Sequence, residues 1–273
     1  MSVRRIALAC LSLTVVALSL QPAAADVSEI RLARQPGLSY LPLAVMEHEK
    51  LIEKHAAAAG LKDIKVEWSK FAAGNVMNDA LLSGSLDIAS GGVAPLITLW
   101  AKSNGQVRGV AAQTTSQIYI NTRNPNVKTI KDFTDKDRIA LPAVKVSVNA
   151  IVLQMAAEKA FGPGNAYKLE PLTTSRSYAE GSAALLSGVG EINSAASAPP
   201  FYYKEIATPG IHTVLKSYDV LGGPSTNNLI WTTKKFHDEN PKLYAAFFAA
   251  YKESIDLINK DPKRAAQIFQ DAD

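Results

Sequence analysis

The sequence predicts an α/β protein made of two lobes of like design, and three observations carry that expectation. Strand-like and helix-like stretches alternate along the chain. Residues 80–95 recur at residues 184–199, with nine of the sixteen positions identical and Asp87 standing against Glu191. The offset of 104 residues is the size of a small domain, whereas solenoid repeats have periods of about 20–50 residues. In each copy a helix ends on glycine (Gly84, Gly188), a short strand follows, and a small-residue turn leads to a new helix near Pro95 or Pro199, proline being favoured at the first helical position.

The first 25 residues stand apart from this pattern. Arg4 and Arg5 precede an apolar run from Ile6 to Leu20, and small residues at Ala23 and Ala25 precede Asp26, which reads as a cleavable secretory signal peptide. The run is shorter than the roughly 20 residues of a spanning helix. Cleavage after Ala25 would remove Cys10, the single cysteine, together with Arg4 and Arg5, leaving 248 residues with a formal charge of +2. Such a chain has no thiol chemistry, is large enough to be held by its own core, and scatters its charges too evenly to suggest nucleic-acid binding.

Glu29 to Ala33 alternates Ile30 and Leu32 with Glu29 and Arg31, as a strand does, and Gln35-Pro36-Gly37 ends it in a loop. Leu43, Met46, Leu51 and Ile52 predict a helix terminated at Gly60. Ile64 to Trp68 is a second strand, Asn75 to Leu82 a helix, Asp87 to Ala89 a strand, and Gly91-Gly92 a sharp turn before a helix from Val93 to Ala101. Strands at Val107 to Ala112 and Ile118 to Asn121 complete an order that predicts a mostly parallel sheet. After the linker Asn124-Pro125-Asn126 come a strand at Arg138 to Leu141 and a helix from Ser147 to Phe161, with Ile151, Val152, Met155, Ala156 and Ala160 facing inward. A helix from Tyr178 to Leu186, a strand at Leu229-Ile230-Trp231 and a helical tail from Phe236 to Asp273 follow.

Several of these pieces in this order carry a resemblance. They are the Gln-Pro-Gly-Leu-Ser-Tyr-Leu-Pro loop after the first strand, Leu-Leu-Ser-Gly-Ser-Leu-Asp-Ile followed by Gly-Gly-Val-Ala-Pro, and Ile130-Lys131-Asp132-Phe133 before Arg138-Ile139-Ala140-Leu141-Pro142. From about Glu29 onward the chain resembles the periplasmic substrate-binding proteins of ABC transporters, in the nitrate/sulfonate/taurine branch. The resemblance implies a type II periplasmic-binding-protein fold of two parallel-sheet lobes joined by two crossing strands. Lobe one would comprise residues 26–115 and 228–273, and lobe two residues 116–227. The crossings would lie near Thr115 to Thr122 and Asn227 to Thr233, with the helical tail packed on lobe one. It further implies a monomer in the periplasm that traps a small organic or inorganic anion in its cleft and docks on the membrane subunits of an ABC permease.

In open α/β sheets ligands sit beyond the carboxyl ends of the strands. That rule nominates Gln35, Gly37, Ser39 and Tyr40 in the first loop, Gly91, Gly92 and Val93 in the second, Thr114 and Thr115 at the first crossing, Lys145, Ser147 and Asn193 in lobe two, and Asn227 at the return. These offer amides, hydroxyls and carboxamides, which hold a small polar group rather than break bonds. Lys145, Arg176 and Arg34 are the cations an anion could meet.

Enzyme readings find little support. His48, His55, His212 and His237 fall in no metal-ligand pattern, no phosphate-binding or dinucleotide loop is present, and no Gly-x-Ser-x-Gly elbow occurs. No metal or cofactor is expected. Two alternatives keep the same fold: an exported ligand sensor, and a small-molecule enzyme of the pyrimidine-precursor synthase type, whose cysteine-rich motif residues 26–273 lack.

Overall fold

The computed structural model describes residues 27–272, so the signal-peptide reading of residues 1–25 lies outside the described residues. In chain order the elements are β1 (Glu29–Arg34), a 3-10 turn at Leu38–Tyr40, α1 (Leu41–His48), α2 (Leu51–Ala58), β2 (Lys65–Lys70), α3 (Gly74–Leu82), β3 (Ile88–Gly92), α4 (Val93–Lys102) and β4 (Val107–Thr114). Then come β5 (Tyr119–Thr122), β6 (Ile139–Leu141), α5 (Val148–Phe161), β7 (Thr173–Ser175), α6 (Tyr178–Ser187), β8 (Ser194–Ser197), α7 (Phe201–Ile206), β9 (His212–Lys216) and α8 (Ser217–Leu221). The chain closes with β10 (Asn228–Thr233), α9 (Lys234–Glu239), α10 (Pro241–Lys260) and α11 (Pro262–Ala272).

Two five-stranded sheets run β2-β1-β3-β10-β4 and β7-β6-β8-β5-β9, and position by position they have the same topology. The first three strands of each are parallel, β1 with β2 and β3, and β6 with β7 and β8. The fourth strand is antiparallel to both its neighbours, β10 to β3 and β4, and β5 to β8 and β9. In each sheet that fourth strand has just arrived from the other one, through residues 115–118 or residues 222–227. It enters at the edge where the parallel strands end and so must run against them. Both sheets are therefore mixed, with four strands running one way and the arriving strand against them.

The repeat is the third strand of each sheet with the helix before it. Gly84 and Gly188 close α3 and α6 at φ of 74° and 66°, the left-handed conformation glycine adopts without cost. Leu81 and Leu185 are buried behind them, and Ser90 and Ser194 occupy equivalent buried points in β3 and β8. Asp87 binds the Arg31 guanidinium through Nη2 at 2.9 Å and Nε at 3.0 Å, whereas its counterpart Glu191 lies 3.9 Å from Arg138.

Each sheet is covered on both faces, as α/β packing requires. Ile30, Leu32, Ile88 and Ile230 meet α1, α2 and α10 through Leu43, Met46, Ile52, Leu243 and Phe247, while Ala33, Ala89 and Trp231 on the alternate face meet α3 and α4. In the second sheet Ile120, Ile139 and Leu141 pack on α5, and Ala140 and Ala195 on α6. The long helix α10 thus completes the core of the first sheet.

Three local expectations are corrected. The helix predicted through Gly60 breaks into α1 and α2 because Lys50 takes a left-handed φ of 50°. The inner face of α5 is Val152, Leu153, Ala156 and Ala157, leaving Met155 outside, since the many alanines give the helix little apolar asymmetry to read. Pro95 is the third residue of α4, and α7 starts beyond Pro200.

Candidate ligand-binding site

The loops leaving β1 and β3 in the first sheet meet the loops leaving β6, β7 and β8 in the second. Leu38 N–H donates to the Pro199 carbonyl at 3.1 Å across this seam. A Cβ built on Gly37 would lie 3.6 Å from the Phe201 ring, and one on Gly92 only 3.2 Å from Val148 Cγ1. The two crossings bind each other at the side of the seam. Ser116 N–H donates to Asn227 Oδ1 at 3.2 Å, Asn227 Nδ2 donates to Ser116 Oγ at 3.1 Å, and Asn227 N–H donates to the Thr114 carbonyl at 3.1 Å. The first loop is tied in by the Ser39 carbonyl, which accepts from Gln113 Nε2 and Thr114 Oγ1, both at 2.7 Å.

At the middle of the seam stand two tyrosines, one from each side. Tyr40 is buried and hydrogen-bonds the Asn228 side chain; burial, and then the nearby Tyr178 hydroxyl, push its phenol well above the ordinary range despite that bond. Tyr178, whose ring stacks on Phe201 with centroids 6.3 Å apart, donates its hydroxyl to Asn149 Oδ1 at 3.0 Å. Burial raises the Tyr178 phenol to about 12, so at neutral pH both hydroxyls carry their protons.

Asn149 is the second residue of α5 and 1% exposed, and its Nδ2 meets no acceptor among the described residues. Ser147 caps the helix, its Oγ accepting from Ala150 N–H at 3.2 Å and donating to the Ala143 carbonyl at 2.7 Å. The earlier amides of a capped helix, here those of Val148 and Asn149, have no carbonyl within the helix to reach, and the helix dipole places partial positive charge beside them. Open amides, an unused carboxamide N–H and the protonated Tyr40 hydroxyl make this a place that receives hydrogen-bond acceptors and negative charge. Among the described residues, no three His, Cys, Asp or Glu side chains gather as metal ligands would.

No protein-family model matches the chain, and no curated protein sequence matches it. Solved structures do. The alkanesulfonate-binding protein SsuA from Xanthomonas axonopodis pv. citri, bound to MOPS, superposes with a TM-score of 0.69 at 17% identity, covering 90% of this chain and 79% of that one. The periplasmic aliphatic sulphonate binding protein SsuA from Escherichia coli gives 0.64 at 19% identity over 90% and 79%. The periplasmic nitrate-binding protein NrtA from Synechocystis PCC 6803 gives 0.67 at 17% identity over 90% and 66%. The chain has the periplasmic-binding-protein fold.

Most of the predicted residues gather at the seam of this fold. Gln35, Gly37, Ser39 and Tyr40 form the first loop, Gly91, Gly92 and Val93 the second, Ser147 caps α5, and Thr114, Thr115 and Asn227 lie on the crossings. Two do not converge. The Lys145 ammonium is exposed and held 3.1 Å from Glu170. Asn193 lies at the other end of β8, where its Nδ2 donates to the buried Asp137 carboxylate at 2.8 Å. Of the other cations, Arg34 is buried with Nε 3.5 Å from Glu47, and Arg176 is exposed with Nη1 donating to the Ser175 carbonyl.

The binding-protein fold also changes the roles of the Gly91-Gly92-Val93 segment. Gly91 and Gly92 are the last residues of β3, paired with Leu229 and Asn228, and form no sharp turn. Val93 N–H donates to the Asn227 carbonyl at 2.9 Å and is not open to a ligand. Asn149 and Asn228 fall in segments the sequence nominates, the loop from Val144 to Asn149 and the return crossing, whereas Tyr178 and Phe201 were not singled out from sequence. Tyr178 follows β7, a polar three-residue strand with no apolar period to betray it. A cavity of about 810 Å³ lined by Glu29, Arg31, Leu82, Asp87 and Glu239 lies at the far end of the first sheet and contains none of the predicted residues.

Proposed function

We propose that this protein is the extracytoplasmic solute-binding component of an ABC importer. It captures a small oxyanion of the sulfonate or nitrate type by closing its two lobes, and delivers it to membrane permease subunits. In this reading lobe one is residues 26–115 and 228–273, lobe two is residues 116–227, and the mature monomer works in the periplasm as a binder, without catalysis. The observation that carries it is the α5 N-terminus, with the buried Asn149 Nδ2 unpartnered beside it at the meeting of the two sheets. The alkanesulfonates and nitrate named for its neighbours in fold add support. An anion held there gains contacts from both lobes only when they are closed, which is the differential interaction that closure requires.

A thermal-shift screen of the purified protein against alkanesulfonates, taurine, nitrate, aromatic carboxylates and pyrimidines tests this. A ligand present at 100 times its dissociation constant stabilises by about 2.7 kcal/mol, a rise of several degrees in a protein this size. Stabilisation by a sulfonate or nitrate supports the reading; stabilisation by pyrimidines alone, or by nothing in the set, removes it.

A further inference from the structure

The Asn149 carboxamide is held one way round. Its Oδ1 receives the Tyr178 hydroxyl at 3.0 Å, and its Nδ2 is buried without an acceptor on the first turn of α5. Turning the amide over would present its NH2 to the phenol and strand the phenol proton, so Tyr178 fixes which atom of the amide is left without a partner. That atom is a donor, and the Val148 and Asn149 amides beside it are donors as well. Of the three cations the sequence offered to an anion, Lys145 and Arg34 are engaged with Glu170 and Glu47 and Arg176 is exposed with Nη1 on the Ser175 carbonyl, so discrimination at this turn falls to hydrogen-bond direction.

We propose that Asn149, oriented by Tyr178, selects oxyanions that carry no proton over those that do. This rests on the reading of the seam as an oxyanion site. A sulfonate or nitrate at neutral pH only accepts hydrogen bonds and can satisfy every donor. A phosphonate monoanion of the same shape carries an O–H, which at this turn of α5 would face N–H groups and find no acceptor, leaving buried polar atoms unpaired. Asn149 is thus a specificity residue, and Tyr178 a positioning residue that acts through it.

Titration calorimetry of the protein with an alkanesulfonate and the matching alkylphosphonate, below and above the second pKa of the phosphonate, tests the assignment. Sulfonate affinity is expected to stay level, and phosphonate affinity to rise as its last proton leaves. Tyr178→Phe frees the amide to turn over and is expected to shrink the sulfonate preference about tenfold, the loss of one hydrogen-bond's worth of discrimination. Asn149→Asp replaces the donor by an acceptor and is expected to invert the preference toward the protonated phosphonate. A merely structural role for Tyr178 would weaken both ligands together and leave their ratio unmoved. That result in a normally melting variant, or equal binding of the two phosphonate forms, overturns the inference while leaving the oxyanion site standing. Failure of every oxyanion to bind removes the site, and this inference with it.

Discussion

Gly92 ends β3 at φ −65° and ψ 152°, a conformation open to any residue, so its missing Cβ is what matters. That Cβ would press on Val148 in the opposite lobe, whereas at Gly91 it would lie 2.9 Å from Gln35 Nε2 and 3.0 Å from the fully buried Trp231 ring. The two alanine variants should therefore differ in kind. Gly91→Ala overpacks one lobe and is expected to cost about 1–3 kcal/mol of stability. Gly92→Ala is expected to leave the melting of the free protein nearly unchanged and to weaken ligand binding about tenfold, roughly 1.4 kcal/mol, with Val148→Ala restoring it. Melting curves beside calorimetric titrations separate these outcomes, and undiminished binding by Gly92→Ala would sever Gly92 from closure.

Asn193 shows how a residue can be misread when its partners are distant in sequence. Asp137 is fully buried and accepts from Asn124 Nδ2 at 2.7 Å, Asn193 Nδ2 at 2.8 Å, Thr134 N–H at 2.8 Å and Thr134 Oγ1 at 3.1 Å. Burial alone would raise its pKa, but these bonds hold it below the usual carboxylate range. A carboxylate whose pKa is lowered by folding stabilises the protein above its unfolded value of about 3.9, and that contribution is lost as the pH falls through the folded value. Asp137→Asn is expected to lose about 1–3 kcal/mol at neutral pH and to show a flatter decline in acid. Denaturant melts across the acid range check this; parallel decline of variant and parent would assign the acid sensitivity elsewhere.

At the scale of elements, legibility followed apolar periodicity. The helices α3, α4 and α6, and the strands β1 and β3, begin or end within two or three residues of the expectation, because buried Leu81, Leu99 and Leu185 recur against clear glycine stops. The strands β7 and β9 were passed over: β7 is Thr-Thr-Ser, and β9, His-Thr-Val-Leu-Lys, is a half-buried edge strand. The repeat yields a test at this scale. Leu81 and Leu185 fill equivalent places in separate cores, so Leu81→Ala and Leu185→Ala are each expected to cost about 2–5 kcal/mol. Their effects should add in the double variant. Measured non-additivity in denaturant unfolding would mean that the two cores are coupled through the seam.

For the whole molecule the decisive feature is the double crossing, pinned where Asn227 bonds Ser116 and the Thr114 carbonyl. If closure is the working motion, an oxyanion ligand should lower the radius of gyration in solution scattering. Asn227→Ala, by untying the crossings, should weaken that contraction and the ligand affinity together. Contraction unchanged in the variant would move the hinge away from this contact.

The α/β class, the two like lobes and the loops that meet at the seam were legible in the chain itself, because burial periodicity, glycine stops and a repeated segment are local patterns that survive without coordinates. Tertiary structure alone decided that both sheets are mixed, that Lys145 and Asn193 serve Glu170 and Asp137, and that Tyr178 sets the direction of Asn149. Each of these depends on which strand arrives from the other lobe or on which side chains a remote segment brings within hydrogen-bond reach, and a linear sequence holds no record of such distances.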